Sequence, residues 1–324
     1  MTFLTDSALE RLRIAADIPD LNGSRYRLLD KLGQGGMGSV YRAEDTLLGR
    51  EVALKVVSIP DADGALSARL VREAKIIAQL EHPGVVPIHD VGTLPDGRPY
   101  YTMKLVQGER LDQKVRKSGT LSGRLRMFLK IVDAVSFAHA RGVLHRDLKP
   151  SNIMIGPFGE VLVMDWGLSK VLREAVADSE MTVINDAGDG QADGATSHGT
   201  VLGTPGYMAP EQARGENRVL DERADVFSLG AILSFLINDP GERVSRPLAA
   251  IVRKATASHP QERYSSAAEL GLDLTHYLEA LPVSAYPEGV AARLWRWSLR
   301  NQAWLLLILA YLVMRTLLIV FRPR

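Results

Sequence analysis

Two hydrophobic periodicities follow one another along this chain, and their order limits the folds open to it. From Arg25 to about Val57 the runs RYRLLDKL, SVYRAED and EVALKVV alternate apolar and polar residues, with Gly-rich or polar turns between them. That pattern predicts antiparallel strands. Leu66, Leu70, Glu73, Ile77 and Leu80 then recur on one helical face. Further strand-like pieces, VVPIHDVG and RPYYTMKLV, come next, and beyond residue 120 the pattern turns helical, broken only by NIMIG and EVLVMD. Strands first and helices afterwards imply an α+β, two-lobed fold. At 324 residues the chain is long enough for both lobes. Residues 178–199 hold five acids and four glycines and no Lys or Arg, which reads as a loop.

The segment Gly33-Gln34-Gly35-Gly36-Met37-Gly38-Ser39-Val40 fits the spacing G-x-G-x-x-G-x-V. Glycines let backbone N–H groups approach phosphate oxygens where a Cβ would collide. A Gly-rich turn without function fits the same residues. A dinucleotide-binding turn should open a helix, whereas a strand-like run, VYRAED, follows here. Lys55 stands on a strand among apolar neighbours, and Glu73 lies in the apolar stripe of the next helix. Each calls for a partner, and each could be the other's. The pair is either a structural link or a lysine held ready to grip phosphates.

Absence of cysteine excludes disulfides, thiolate metal sites and cysteine nucleophiles. The net charge of +1 hides an asymmetry: residues 1–288 carry 33 basic and 38 acidic side chains, while six arginines and no acid follow. A mildly acidic body with a basic tail argues against nucleic-acid binding.

In His145-Arg146-Asp147-Leu148-Lys149-Pro150-Ser151-Asn152, Pro150 opposes a helix, so Asp147 and Asn152 sit on a loop between apolar runs. Asp165 ends the strand VLVM and opens Asp-Trp-Gly. Two acids and an amide brought together could bind a hard cation; singly, each reads as a turn cap. Together with the glycine loop and the Lys55–Glu73 pair, these segments resemble the eukaryotic-like (Hanks-type) serine/threonine protein kinases over about residues 26–280, and the stretches DWGLSK and PVSAYPEG resemble their bacterial membrane-attached form.

The resemblance implies ATP and Mg²⁺ as cofactors and serine- or threonine-bearing proteins as substrates. Gly33, Gly35, Gly36, Gly38 and Val40 would cover ATP, with Lys55 on its phosphates and Glu73 orienting that lysine. Asp147 would take the proton of the substrate hydroxyl, and Lys149 would offset charge on the transferred group. Asn152 and Asp165 would hold the metal. Met103 falls at the gatekeeper position, with Lys104 and Val106 in the adenine-binding hinge. Glu211 would pair with Arg263, and Asp225 would brace the catalytic loop. One or more of Thr196, Ser197 and Thr200 would take phosphate by autophosphorylation, through self-association, and pair with Arg146.

Two departures stand out. Trp166 replaces the family's usual phenylalanine after the metal-binding aspartate, and only 38 positions separate Asp225 from Arg263, which leaves little room for a substrate-docking helix. An ATP-binding pseudokinase scaffold is the rival reading.

Outside this region, residues 1–25 read as a leader and 281–303 as a basic juxtamembrane segment. Trp304 to Phe321 carries twelve Leu, Ile, Val and Phe residues and one charge, Arg315. It would span roughly 27 Å against a hydrocarbon core of about 30 Å. A single membrane pass, with the kinase domain on the cytoplasmic side at the cell membrane, is expected; a buried helix is the alternative. Arg293, Trp295, Arg296, Trp297 and Arg300 would form an interfacial collar contacting lipid.

Overall fold

The computed structural model describes residues 18–35, 38–57, 64–114, 119–166, 206–214, 220–238, 243–287 and 302–320. The leader's first seventeen residues, the acidic 178–199 segment with Thr196 and Ser197, Thr200 just after it, and the basic collar lie outside them.

Strands β1 (Tyr26–Gly35), β2 (Gly38–Asp45), β3 (Arg50–Val57), β4 (Ile88–Thr93) and β5 (Pro99–Lys104) form one antiparallel sheet in the order β1-β2-β3-β5-β4. Helix α1 (Ala65–Ala78) joins β3 to β4 and buries Leu66, Leu70, Ala74 and Ile77. This face of the sheet merges with the core of the large lobe through Ala53, Tyr101 and Met103. The opposite face has its own small core, in which Tyr26, Tyr41, Leu54 and Tyr100 meet.

Register decides what reaches the cleft. Val40 on β2 pairs with Lys55 on β3, and Lys55 pairs with Tyr101 on β5. Directly paired residues project to the same side of a sheet, so three side chains line up across three strands. At the β1–β2 turn Gly38 has φ +150°, and an added Cβ would fall 2.1 Å from the Val56 carbonyl oxygen. No other residue fits there without moving β3.

After the short pieces β6 (Glu109–Arg110) and α2 (Leu111–Lys114), the large lobe begins with α3 (Leu121–His139). Thr120 caps that helix by accepting from the Gly123 N–H. Strands β7 (Ile153–Ile155) and β8 (Val161–Val163) close a three-stranded sheet with β6. The backbone of Gly84–Val86 bonds to Val163, tying the small lobe's lower edge to β8. A single turn, α4 (Pro210–Ala213), precedes α5 (Glu222–Ile237), α6 (Arg246–Ala255) and α7 (Ala267–Leu278).

Helix α5 buries Ala224, Asp225, Val226 and much of the rest of its length, as expected of a central helix apolar all round. Gly230 lets it approach α6 closely, since a Cβ there would lie 2.6 Å from that of Ala255. Residues 238–245 alone connect the two helices, and the described part of that link holds no helix.

The packed domain runs past α7. Asp273, 3% exposed, accepts from the backbone N–H groups of Ser284 and Ala285, the Ser284 hydroxyl and the Tyr264 phenol. Burial opposes its charge, but the Ser284 N–H and these other donors hold its pKa below the ordinary value. Val283 is buried beside this clasp.

Helix α8 (Gln302–Val320) forms where the sequence predicts one. Among the described residues no helix is long and apolar enough to cross a membrane. The structure therefore gives a helix at the expected place and does not establish the expected span. Trp304, Leu307, Ile308 and Tyr311 on it are exposed.

Candidate active site

The loop from His145 to Asn152 owes its shape to a carboxylate on α5. Asp225, 1% exposed, accepts from the N–H of His145 at 2.7 Å and of Arg146 at 2.8 Å. His139 at the end of α3 meets the same carboxylate at 2.9 Å. Burial works against this charge, but the His139 hydrogen bond and the backbone donor on His145 hold the pKa of Asp225 below its usual value. Arg146 has φ +65°, a conformation non-glycine residues rarely adopt, and the Asp225 bonds hold it there. The brace expected of Asp225 is formed.

Asp147 is thereby presented at the cleft. Lys149 Nζ donates to its Oδ2 at 2.9 Å, and Asn152 Nδ2 donates to its carbonyl oxygen at 2.8 Å. With that amide nitrogen engaged, Oδ1 of Asn152 is the atom suited to a cation. The N–H of Met164 donates to the Asn152 carbonyl, coupling this loop to the approach to Asp165.

Asp165 follows β8 with φ +58°, the second left-handed non-glycine residue at the site. Its Oδ1 receives Lys55 Nζ at 2.9 Å and the Tyr101 hydroxyl at 3.1 Å. Burial opposes charge on Lys55, yet the Asp165 carboxylate outweighs it and raises the lysine's pKa. Burial, then Asp165, raises that of Tyr101, which stays a protonated phenol. Trp166 is buried, donates its indole N–H to the Val163 carbonyl and lies against the His145 ring at a centroid distance of 4.8 Å. The substitution for phenylalanine is accommodated, and the aspartate before it still faces the cleft.

The structure thus brings together Lys55, Asp147, Lys149, Asn152 and Asp165. It does not bring Glu73 to Lys55. Among the described residues Lys55 takes Asp165 as its ion-pair partner, and no pair with Glu73 is formed. Glu73 is half-buried on α1, retaining hydration, so the argument that it requires a partner does not hold. Gly33 and Gly35 have open space around them, Gly38 is fixed by the turn and Gly36 lies outside the described residues. Val40 lines the cleft beside Lys55, Met103 is buried behind it, and Lys104 and Val106 begin the link to the large lobe.

Two further expectations concern the large lobe. Glu211 receives both terminal nitrogens of Arg263, at 2.7 and 2.8 Å, in a buried bidentate pair. Burial opposes ionisation of Glu211, but the Arg263 hydrogen bonds hold its pKa below the usual carboxylate value. Arg146 Nε is buried without a hydrogen-bond partner, and the residues expected to meet that side chain lie outside the described set. Sequence reasoning missed Tyr101 and His139. Neither carried a local signal, since a tyrosine in the strand PYYTMK and a histidine at a helix end are ordinary in sequence.

Among the described residues no cluster of three or more His, Cys, Asp or Glu side chains forms a metal cage. Magnesium does not need one: it is commonly held by one or two carboxylates together with substrate phosphates. Asp165 supplies such a carboxylate, and Asn152 adds a neutral amide oxygen.

Comparison with known proteins agrees with this arrangement. The profile of the protein kinase domain family matches residues 26–269. The serine/threonine-protein kinase PknD of Protochlamydia amoebophila is 33% identical over 297 residues, covering 78% of this chain and 30% of that protein. PknD of Chlamydia felis is 35% identical over 301 residues, covering 80% and 31%. This chain therefore spans about a third of the length of these relatives. The crystal structure of the Mycobacterium tuberculosis PknI kinase domain superposes with a TM-score of 0.56 at 25% identity, covering 78% of this chain and 95% of that one. The match over three quarters of its length, on a two-lobed fold with the catalytic loop braced as described, places this chain in the protein kinase domain family.

Proposed function

We propose that the chain transfers the γ-phosphoryl group of ATP to serine or threonine hydroxyls of proteins. The observation that carries this reading is the convergence of Lys55, Asp147, Lys149, Asn152 and Asp165 on one cleft. Lys55 lies between the sheet and Asp165, where its charge meets nucleotide phosphates. Asp147 orients the acceptor hydroxyl and takes its proton, and Lys149, already 2.9 Å from Asp147, offsets charge on the group in transfer. Bound Mg²⁺, held by Asp165 and Asn152, would neutralise phosphate charge. The serine/threonine assignment is supported by Lys149 in the catalytic loop and by the relatives named above.

The test is incubation of the chain with labelled ATP and Mg²⁺ beside an Asp147→Asn control. Label incorporated by the chain and not by the control supports the reading. Nucleotide binding without transfer by either favours the scaffold.

A membrane anchor is proposed for α8. The apolar run Trp304–Phe321 of the sequence and the exposure of Trp304, Leu307, Ile308 and Tyr311 support this. ATP is cytoplasmic, so the catalytic domain would face the cytoplasm at the cell membrane. Lipid is then a partner of α8 and the collar before it, and protein substrates are met there.

A further inference from the structure

Tyr101 has no role in the reaction as described, yet its hydroxyl touches the metal-binding aspartate. The ring is 1% exposed, and β5 places it opposite Lys55 on the same side of the sheet. Lys55 and Tyr101 donate to one and the same oxygen, Oδ1 of Asp165, from adjacent strands. A buried phenol needs some acceptor, and a backbone carbonyl would have served. Here the acceptor is a carboxylate on a residue with φ +58°, where non-glycine residues rarely rest.

The two donors differ in stiffness. Among the described residues Lys55 has Asp165, not Glu73, as its ion-pair partner, and a lysine reaches along four rotatable bonds. A tyrosine has two, and its ring is fixed among Ile77, Met103 and Trp166 around a small cavity. We propose that Tyr101 is a positioning residue for phosphoryl transfer, its hydroxyl setting the rotation of the Asp165 carboxylate so that it meets the nucleotide-bound magnesium while Lys55 is left to serve the phosphates.

The proposal rests on the kinase reading, and the experiment separates the two. Affinity for ADP is measured calorimetrically with and without Mg²⁺ on the whole chain and on Tyr101→Phe, which keeps the ring and removes one oxygen. Turnover and melting temperature are measured alongside. The variant should bind metal-free ADP within about twofold of the unsubstituted chain. The gain in affinity on adding Mg²⁺ should shrink about fivefold or more, and kcat should fall about tenfold, somewhat less than the loss of a direct transition-state donor. An unchanged Mg²⁺ gain overturns the proposal, even if the melting temperature drops, because the hydroxyl would then be structural only. No Mg²⁺-dependent binding of ADP by the unsubstituted chain would overturn the kinase reading as well.

Discussion

Lys55 Nζ lies 2.9 Å from Asp165 Oδ1, across 110 positions of sequence and across the cleft between the lobes. Lys55 and Asp165, proposed to meet phosphate and metal, are therefore one electrostatic unit in this state. Lys55→Met removes a cation from that unit and should lower phosphoryl transfer by about 10²–10³-fold, as loss of one transition-state donor does. Asp147→Asn should lower it about 10²–10⁴-fold with nucleotide affinity nearly unchanged, because the aspartate acts on the hydroxyl. Steady-state rates and nucleotide titrations on both variants check this; wild-type turnover by the asparagine variant would sink the mechanism.

Breaking the buried Glu211–Arg263 pair should cost the large lobe more than replacing it. Arg263→Ala leaves a buried carboxylate unpaired and should destabilise the domain by about 3–5 kcal/mol. Replacing both residues with apolar ones of similar volume should cost less than either single change. Urea midpoints of the four proteins give the comparison, and additive losses would contradict it.

Acid should unfold the domain through three carboxyls. Glu211, Asp225 and Asp273 all have folded pKa values held below their ordinary ones. Their stabilisation is fully present above the ordinary carboxylate range of about 3.9–4.3 and is lost as pH falls through the lower folded values. The urea midpoint should stay level for these groups from pH 7 to 5 and drop below about pH 4. Asp273→Asn should flatten part of that drop, and a midpoint rising with acid would refute the linkage.

Substrate choice should reflect the short link between α5 and α6. With residues 238–245 alone between them, the surface that an extra helix would offer to a protein substrate is reduced. The chain should phosphorylate itself measurably and generic peptides poorly. Tethering kinase and substrate to one vesicle surface should raise the rate through effective concentration. Efficient phosphorylation of an untethered generic peptide would overturn this.

Deleting residues 303–324 should shift the protein from the membrane fraction to the soluble one with transfer activity retained. Sedimentation and the labelled-ATP assay read the two halves of that statement. Loss of folding would instead mark α8 as a buried helix of the domain.

Much of this was legible in the residues. Alternation in SVYRAED and EVALKVV foretold β2 and β3, and the helical pattern beyond residue 120 foretold a helical large lobe. The Asp225 brace and the Glu211–Arg263 pair followed from the family resemblance, and hydrogen bonds form both. What was illegible depends on rigid-body placement. Whether Lys55 meets Glu73 or Asp165 turns on where α1 lies against the sheet, and no local pattern encodes that distance. Tyr101 was hidden for a related reason: its importance comes from strand register, which sets β5 against β3.

The Asp273 clasp also fixes where the chain departs. Because Ser284 and Ala285 are held to α7, the polypeptide leaves the large lobe at one defined spot and not from a frayed helix end. Sixteen residues, 286–301, separate Ala285 from α8. Fully extended they reach no more than about 58 Å. An anchored molecule would then work as an arm on a leash, sweeping a disc of membrane at most about 120 Å across, and its natural substrates would be those that enter the disc.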